Sequence, residues 1–213
     1  MRETRAVRWL RAARKQSTVP SLPYNLADAG SPRWEQRAEA AVDLLVSNLD
    51  TLRWDASAGL SIADFGAGDE RLGRVLASRL AQQHRYTGFD IRPQRKSVIE
   101  LDLRAALPTQ PFDVVCCLGL LEYIEPLDTF LARLAVRYPA LILSYTVFDA
   151  PAPLSRRQRR SRGWLTDYTK AGLERELEAA GLAVREVVMT NQQRTCLWFV
   201  LSRTASTADH RRC

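Results

Sequence analysis

Along most of this chain, short apolar runs alternate with segments of helical periodicity. That alternation restricts the fold more than any other feature. The apolar runs lie at 60–65, 85–89, 97–101, 112–118, 139–145, 183–189 and 195–202, with helical patterns at 69–82, 126–137 and 170–180 between them. Parallel neighbours need a crossover long enough for a helix, so strands alternating with helices imply a mostly parallel sheet covered on both faces. Only Asn191–Arg194, "NQQR", separates the last two runs. They should therefore form a hairpin, with one strand antiparallel to the rest. The expected class is α/β, with seven strands and an antiparallel C-terminal hairpin strand.

The remaining segments divide the chain of 213 residues. Residues 1–15 read as a short basic helix with Ala6, Trp9, Leu10 and Ala13 on one side, and residues 16–30 as a loop containing Pro20, Pro23 and Gly30. Ser31 with Pro32 is a good helix start, and Ala38, Ala41, Leu44, Leu45 and Leu49 recur at helical spacing behind it. The expected organisation is a basic N-terminal helix and loop over 1–30, one catalytic domain over 31–203, and a small, polar, disordered tail over 204–213. No apolar run approaches the roughly 20 residues of a membrane span, and the first residues are too charged for a signal peptide. A cytoplasmic location is expected. Cys116, Cys117, Cys196 and Cys213 match no zinc spacing, so no metal is expected and the cysteines read as reduced core residues. Cys116 and Cys117 should point to opposite faces of one strand.

The stretch "SIADFGAGDERLGRVLA", residues 61–77, is a strand, a glycine turn and a helix. Such a turn presents backbone N–H groups at the mouth of a sheet, where open α/β sheets bind ligands. The dinucleotide fingerprint G-x-G-x-x-G is incomplete, because Arg71 stands in the third glycine's place. Asp64, Asp69 and Glu70 surround Gly66 and Gly68, and carboxylates there oppose a pyrophosphate. They suit a cationic ligand rich in hydroxyl and amino donors, as S-adenosylmethionine is.

"ADFGAGDERL" resembles the first motif of class I, Rossmann-like, S-adenosylmethionine-dependent methyltransferases, and the resemblance runs from about Ser31 to Ser202. "YTGFDI" resembles the family's second strand and "VIELDL" its third. "FDVVCCLGLLEYI" resembles its fourth strand and the turn after it. The resemblance implies that the turn with Asp64, Gly66 and Gly68 faces the methionine part. It implies that Asp90, 22 residues after Gly68, accepts the ribose hydroxyls. Asp102 would meet the adenine amino group, Leu103 would pack on the ring, and Leu118 would lie under the methionine part. The sequence departs from the pattern at Glu70, where the family often has glycine, and at Tyr123, where it often has histidine.

Methyl transfer needs donor and acceptor held in line, with a base where the acceptor carries a proton. His84 and His210 are not expected at the reaction centre. The candidates left are Glu122, Tyr123 and Tyr145, then Asp167 and Tyr168, and none stands out. The connection after the fifth strand carries Arg156, Arg157, Arg159, Arg160 and Arg162. Of the net charge of +7, residues 1–15 carry +5 and residues 154–170 carry +5, so the remainder is −3. Basic character confined to two segments argues against a surface that wraps nucleic acid throughout. The arginine connection reads either as a solvated loop or as a mobile anion clamp with Arg156, Arg157, Arg159 and Arg160 as its contacts. Trp34 and Trp164 read first as packing residues, although Trp164 and Tyr168 lie where they could stack on an acceptor ring. The expected partner is a small-molecule or glycan acceptor, with an anionic one suiting the arginines. RNA methylation, or a cofactor-binding scaffold without catalysis, is the alternative.

Overall fold

The computed structural model describes residues 32–52, 54, 57–80, 84–190 and 194–204. The N-terminal helix and loop, the Ser31 cap, residues 191–193 of the hairpin link and the tail beyond Thr204 lie outside the described residues.

The elements alternate as the periodicity predicts. Helix α1 (Pro32–Ser47) precedes strand β1 (Leu60–Phe65), helix α2 (Arg71–Arg79) and strands β2 (His84–Asp90) and β3 (Ile99–Glu100). Strand β4 (Val114–Cys117), helix α3 (Leu127–Arg137) and strand β5 (Ala140–Thr146) follow. The chain continues with helices α4 (Arg156–Arg160) and α5 (Lys170–Ala179), then strands β6 (Leu182–Met189) and β7 (Thr195–Ser202). The sheet order is β3-β2-β1-β4-β5-β7-β6. The pairs from β3 to β5 are parallel, and β7 is antiparallel to both β5 and β6.

Strand alternation divides the core between the two faces. Ile62 and Cys116 join Val42, Leu45, Val75 and Leu76 under α1 and α2. Ala63, Phe65 and Cys117 face the other way, toward Phe130, Leu134, Leu173 and Leu177 of α3 and α5. The adjacent cysteines thus point to opposite faces, both buried and free. Every residue of β5 is buried, as expected of a strand with neighbours on both edges and helices on both faces. The edge strand β3 is shorter than the apolar run 97–101 predicts, two residues, both exposed. With one neighbour and little to cover it, an edge strand gains least from length.

The order of the strands reverses around β1 and β4. The C-terminal ends of β1, β2 and β4 therefore open onto one crevice, the switch point of an open parallel sheet.

Candidate active site

The glycine turn closes the end of β1 onto the end of β2. Gly66 N and Ala67 N both donate to the carbonyl of Phe89, at 2.8 and 3.0 Å. Gly66 has φ +83° and Gly68 φ +52°. Glu70 follows with φ +63°, a left-handed residue held by a hydrogen bond from Ser97 Oγ to its carboxylate. The chain thus makes with Glu70 the turn that a glycine makes without strain, at a cost of about 1–2 kcal/mol. The same turn delays the helix, which begins at Arg71 rather than at Asp69. Arg71, in the place of the missing third glycine, pairs with Asp69 at 3.0 Å. Close approach is supplied two residues later by Gly73, where a Cβ would lie 2.9 Å from the ring of Tyr86.

Three carboxylates stand at the crevice in different states. Asp90 is buried; its Oδ2 accepts from Gly68 N at 2.9 Å and its Oδ1 from Arg92 N at 2.8 Å. Each oxygen keeps a lone pair for a further donor. Burial raises the Asp90 pKa, and the backbone donors oppose the rise. Asp102 is held by Arg104, whose Nε and Nη2 donate to its two oxygens at 2.9 Å, and that contact keeps its carboxyl below the usual range. Asp64 is 3% exposed and accepts from Tyr86 Oη at 2.8 Å. Burial pushes its pKa up to about 7 against the effect of that hydrogen bond.

These residues surround two adjoining cavities. Asp90, Ile91, Leu101, Asp102, Leu103 and Leu120 line the first. Asp64, Gly68, Leu118, Gln94 and Trp34 line the second, and Gly66, Gly119 and Tyr123 border both. The structure thus brings Asp64, Gly66, Gly68, Asp90, Asp102, Leu103 and Leu118 to one crevice.

A third cavity adjoins these two across Gly119 and Tyr123. Trp34, Arg37, Glu122, Arg162, Trp164 and Arg194 line it. Gly119 has φ +69° and donates to Ser144 Oγ at 2.8 Å. A Cβ there would meet the Arg37 guanidinium and come within 2.7 Å of the Trp34 ring. Glu122 sits in a 3-10 turn, Leu121–Tyr123, and is 1% exposed. Its Oε1 accepts from Thr146 N at 2.9 Å; its Oε2 is buried and has no hydrogen-bond partner among the described residues.

The arginine connection corrects the expectation of a mobile clamp. It contains α4, capped by Ser155 in a box with Gln158. Arg159 is fully buried and donates to Asp167 Oδ1, the carbonyls of Thr146 and Thr166, and Tyr145 Oη, at 2.7–2.9 Å. Arg160 and Arg156 pair with the same Asp167 at 2.8 and 3.6 Å. Of the four proposed contacts, Arg159 is therefore internal, while Arg156 and Arg160 reach the same carboxylate from exposed positions and Arg157 is exposed on the helix. Asp167, so surrounded, is no free base. Tyr145 is fully buried, its Oη meets Arg159, Thr166 and the Tyr168 amide, and burial raises its pKa. Tyr145 is thus a structural hub, and Tyr168 packs edge-on against it at 6.1 Å. Of the base candidates, Glu122 and Tyr123 line the third cavity. Burial raises the Tyr123 pKa, and Glu122 adds to the rise.

Sequence reasoning missed Arg33, Arg37 and Arg194 as cavity residues and read Trp34 as packing. A signal was present: Arg33, Trp34 and Arg37 share one face of α1 at helical spacing, beside a face already filled with alanine and leucine. The box Ser155-x-x-Gln158 likewise announces a helix start inside the connection. His84 opens β2, at the end of the strand away from the crevice. Among the described residues, no group of His, Cys, Asp or Glu is placed to hold a metal ion. None of the described helices is long and apolar enough to cross a membrane.

Comparison with known proteins agrees with this architecture. The family described as "Methyltransferase domain" matches residues 33–187, more than half of the chain. No curated protein matches the sequence. Among solved structures, the 1,6-didemethyltoxoflavin-N1-methyltransferase of Burkholderia thailandensis, with 1,6-didemethyltoxoflavin and S-adenosylhomocysteine bound, is similar at 20% identity and a TM-score of 0.60, covering 95% of this chain and 92% of that one. Magnesium protoporphyrin IX methyltransferase from Synechocystis, with S-adenosylhomocysteine bound, is similar at 18% identity and a TM-score of 0.58, covering 78% and 82%. A S-adenosylmethionine-dependent methyltransferase from Clostridium acetobutylicum is similar at 10% identity and a TM-score of 0.59, covering 91% and 98%. At these identities the likeness is one of fold; the family match carries the assignment. The chain belongs to the methyltransferase domain family, with the Rossmann-like class I fold and S-adenosylmethionine as its methyl donor.

Proposed function

We propose that the protein transfers a methyl group from S-adenosylmethionine to an anionic small molecule held in the third cavity. The observation that carries this reading is the junction at Gly119 and Tyr123, where the crevice under the strand ends meets a separate cavity walled by arginine and tryptophan. When bound, the cofactor supplies an electrophilic methyl group on a sulfonium, so the protein's task is mainly to hold the acceptor in line.

In this reading Asp90 accepts the ribose hydroxyls with its remaining lone pairs. Asp102, oriented by Arg104, accepts from the adenine amino group, and Leu103 packs on the ring. Gly66 and Gly68 let the backbone approach the methionine part, whose positive charges face Asp64, and Leu118 lies beneath it. The acceptor's anionic group meets Arg37, Arg162 and Arg194 in place of Arg156, Arg157, Arg159 and Arg160. A small-molecule acceptor is supported by neighbours named for methylating such compounds. RNA methylation loses some of its support, because Arg159 of the second basic segment is buried and pairs with Asp167.

Calorimetry with S-adenosylmethionine and S-adenosylhomocysteine tests the cofactor half. Asp90→Ala removes two charge-assisted hydrogen bonds, each worth about 1.5–3 kcal/mol, so affinity should fall at least about tenfold. A variant that stays folded and binds as tightly as the parent refutes the ribose assignment.

A further inference from the structure

Two groups in the third cavity have opposite charge and are not paired with each other. The Glu122 side chain is almost fully buried, and its Oε2 has no hydrogen-bond partner among the described residues, while Oε1 is fixed by Thr146 N at 2.9 Å. A buried carboxylate oxygen left without a donor is destabilising. The Arg37 guanidinium lies 4.4 Å from the centroid of the Trp34 ring, and among the described residues it makes no ion pair or hydrogen bond. Burial lowers its pKa, and Glu122 opposes that only through space. Among the described residues, Asp167 pairs with three other arginines and Arg37 makes no ion pair.

We infer that Glu122 and Arg37 form a two-point recognition site for an acceptor that carries an anionic oxygen and an O–H or N–H donor on one rigid, ring-shaped frame. The proposal rests on the reading of the third cavity as the acceptor site. The anion meets Arg37, with Arg162 and Arg194 on the same cavity wall. The donor meets Glu122 Oε2 and thereby removes the unsatisfied oxygen. A flat frame fits because two indole rings, Trp34 and Trp164, line the cavity. Trp34 already carries Arg37 on its face, and Trp164 carries Arg162 at 5.8 Å. Neither group suffices alone. An anion without the donor leaves Glu122 unsatisfied, and a neutral donor leaves Arg37 desolvated and unpaired.

Both source chemistries for the anion, carboxylate and phosphate, satisfy an arginine. The test uses matched ring compounds bound to the complex of the full chain with S-adenosylhomocysteine, measured by calorimetry. The panel comprises hydroxy- and amino-substituted aromatic carboxylic acids, the corresponding aryl phosphates, the amides that lack the anion, and the methyl ethers that lack the donor. Acids or phosphates with a free donor should bind at least about tenfold more tightly than their amides and ethers. Whichever anion binds more tightly identifies the source. Glu122→Gln keeps an acceptor for Thr146 N and replaces Oε2 by a donor; it should lose the preference for the free O–H or N–H compound over its ether. Arg37→Gln should lose the preference for the anion over the amide. Both variants should keep the parent's affinity for S-adenosylhomocysteine, which also reports that they are folded. Amides and ethers that bind as well as the parent acids, or no binding by any anion while S-adenosylhomocysteine still binds, would overturn the inference and leave the cofactor reading intact. Loss of S-adenosylhomocysteine binding by the parent protein would instead overturn the reading on which the inference rests.

Discussion

Arg159→Ala should be among the most destabilising single substitutions in this chain, although it lies in a segment that reads as a solvated basic loop. The Arg159 side chain is fully buried and its guanidinium lies 4.8 Å from the centroid of the Trp164 ring. It donates four hydrogen bonds, two of them to the backbone carbonyls of Thr146 and Thr166. Removing one partner of a buried ion pair costs about 3–5 kcal/mol, because the other partner is left uncompensated. The orphaned carbonyls would cost about 1–3 kcal/mol each in isolation, a penalty that overlaps the first rather than adding to it. The neighbouring Arg160 makes a half-exposed pair with the same Asp167, and such a pair is worth about 0–1 kcal/mol. Arg159→Ala should therefore lower stability by about 3–5 kcal/mol, or the melting temperature by about 6–20 °C for a chain of this size, and Arg160→Ser by less than about 1 kcal/mol. Urea melts followed by circular dichroism measure both. Equal losses for the two variants, or a loss below about 1 kcal/mol for Arg159→Ala, would refute the internal role of this arginine.

Gly119→Ala forces a Cβ into a residue with φ +69° and onto Trp34 and Arg37, so stability should fall by about 1–3 kcal/mol and S-adenosylhomocysteine should bind more weakly; a melt and a titration that match the parent would show that the junction is not tight. Asp64, with its folded pKa raised to about 7, holds in the native state a proton that the unfolded chain gives up near its ordinary value of 3.8. Stability present in acid should thus be lost as pH rises from about 4 to about 7, by a few kcal/mol at about 1.4 kcal/mol per unit. Asp64→Asn should flatten that slope in melts at about pH 5 and about pH 8, and an unchanged slope would place the titrating group elsewhere.

The crevice at the strand ends was legible through the resemblance of its motifs to class I methyltransferases and because its carboxylates stand at or just past strand ends. Once the first three apolar runs are read as neighbouring parallel strands, their ends share one edge of the sheet. Asp64 stands at the end of β1 and Asp90 closes β2, while Asp102 follows two residues after β3. What the sequence left open was the state of each carboxylate. That depends on contacts across the fold: Tyr86 on Asp64, the Gly68 amide on Asp90, and the Arg104 fork on Asp102. Glu70 was legible as a departure from the glycine pattern, but its left-handed backbone was not, because a non-glycine residue rarely takes that conformation.

The arginine connection, with its helix and its buried Arg159, departs from both readings of it for a physical reason that applies to any charged segment. A count of arginines fixes net charge but not direction, and direction depends on what carboxylate comes within reach. Here Asp167, a few residues beyond α4, turns Arg159 inward and holds Arg160 and the exposed Arg156 beside it, so of this cluster only Arg162 lines the cavity. The residues that do line it come from four separated stretches: Trp34 and Arg37 on α1, Glu122 in the turn after β4, Trp164 past α4, and Arg194 before β7. Each looks ordinary in its local sequence. Trp34 and Arg37 resemble the solvated face of an amphipathic helix, and Glu122 a turn residue. Only after α1 is folded against the β1–β4 side of the sheet do Arg37, which makes no ion pair among the described residues, and Glu122 line one cavity. In the reading proposed above, a cavity that keeps Arg37 and Glu122 apart takes a ligand that carries both complements, and the basic residues that meet it are ones with no ion pair among the described residues.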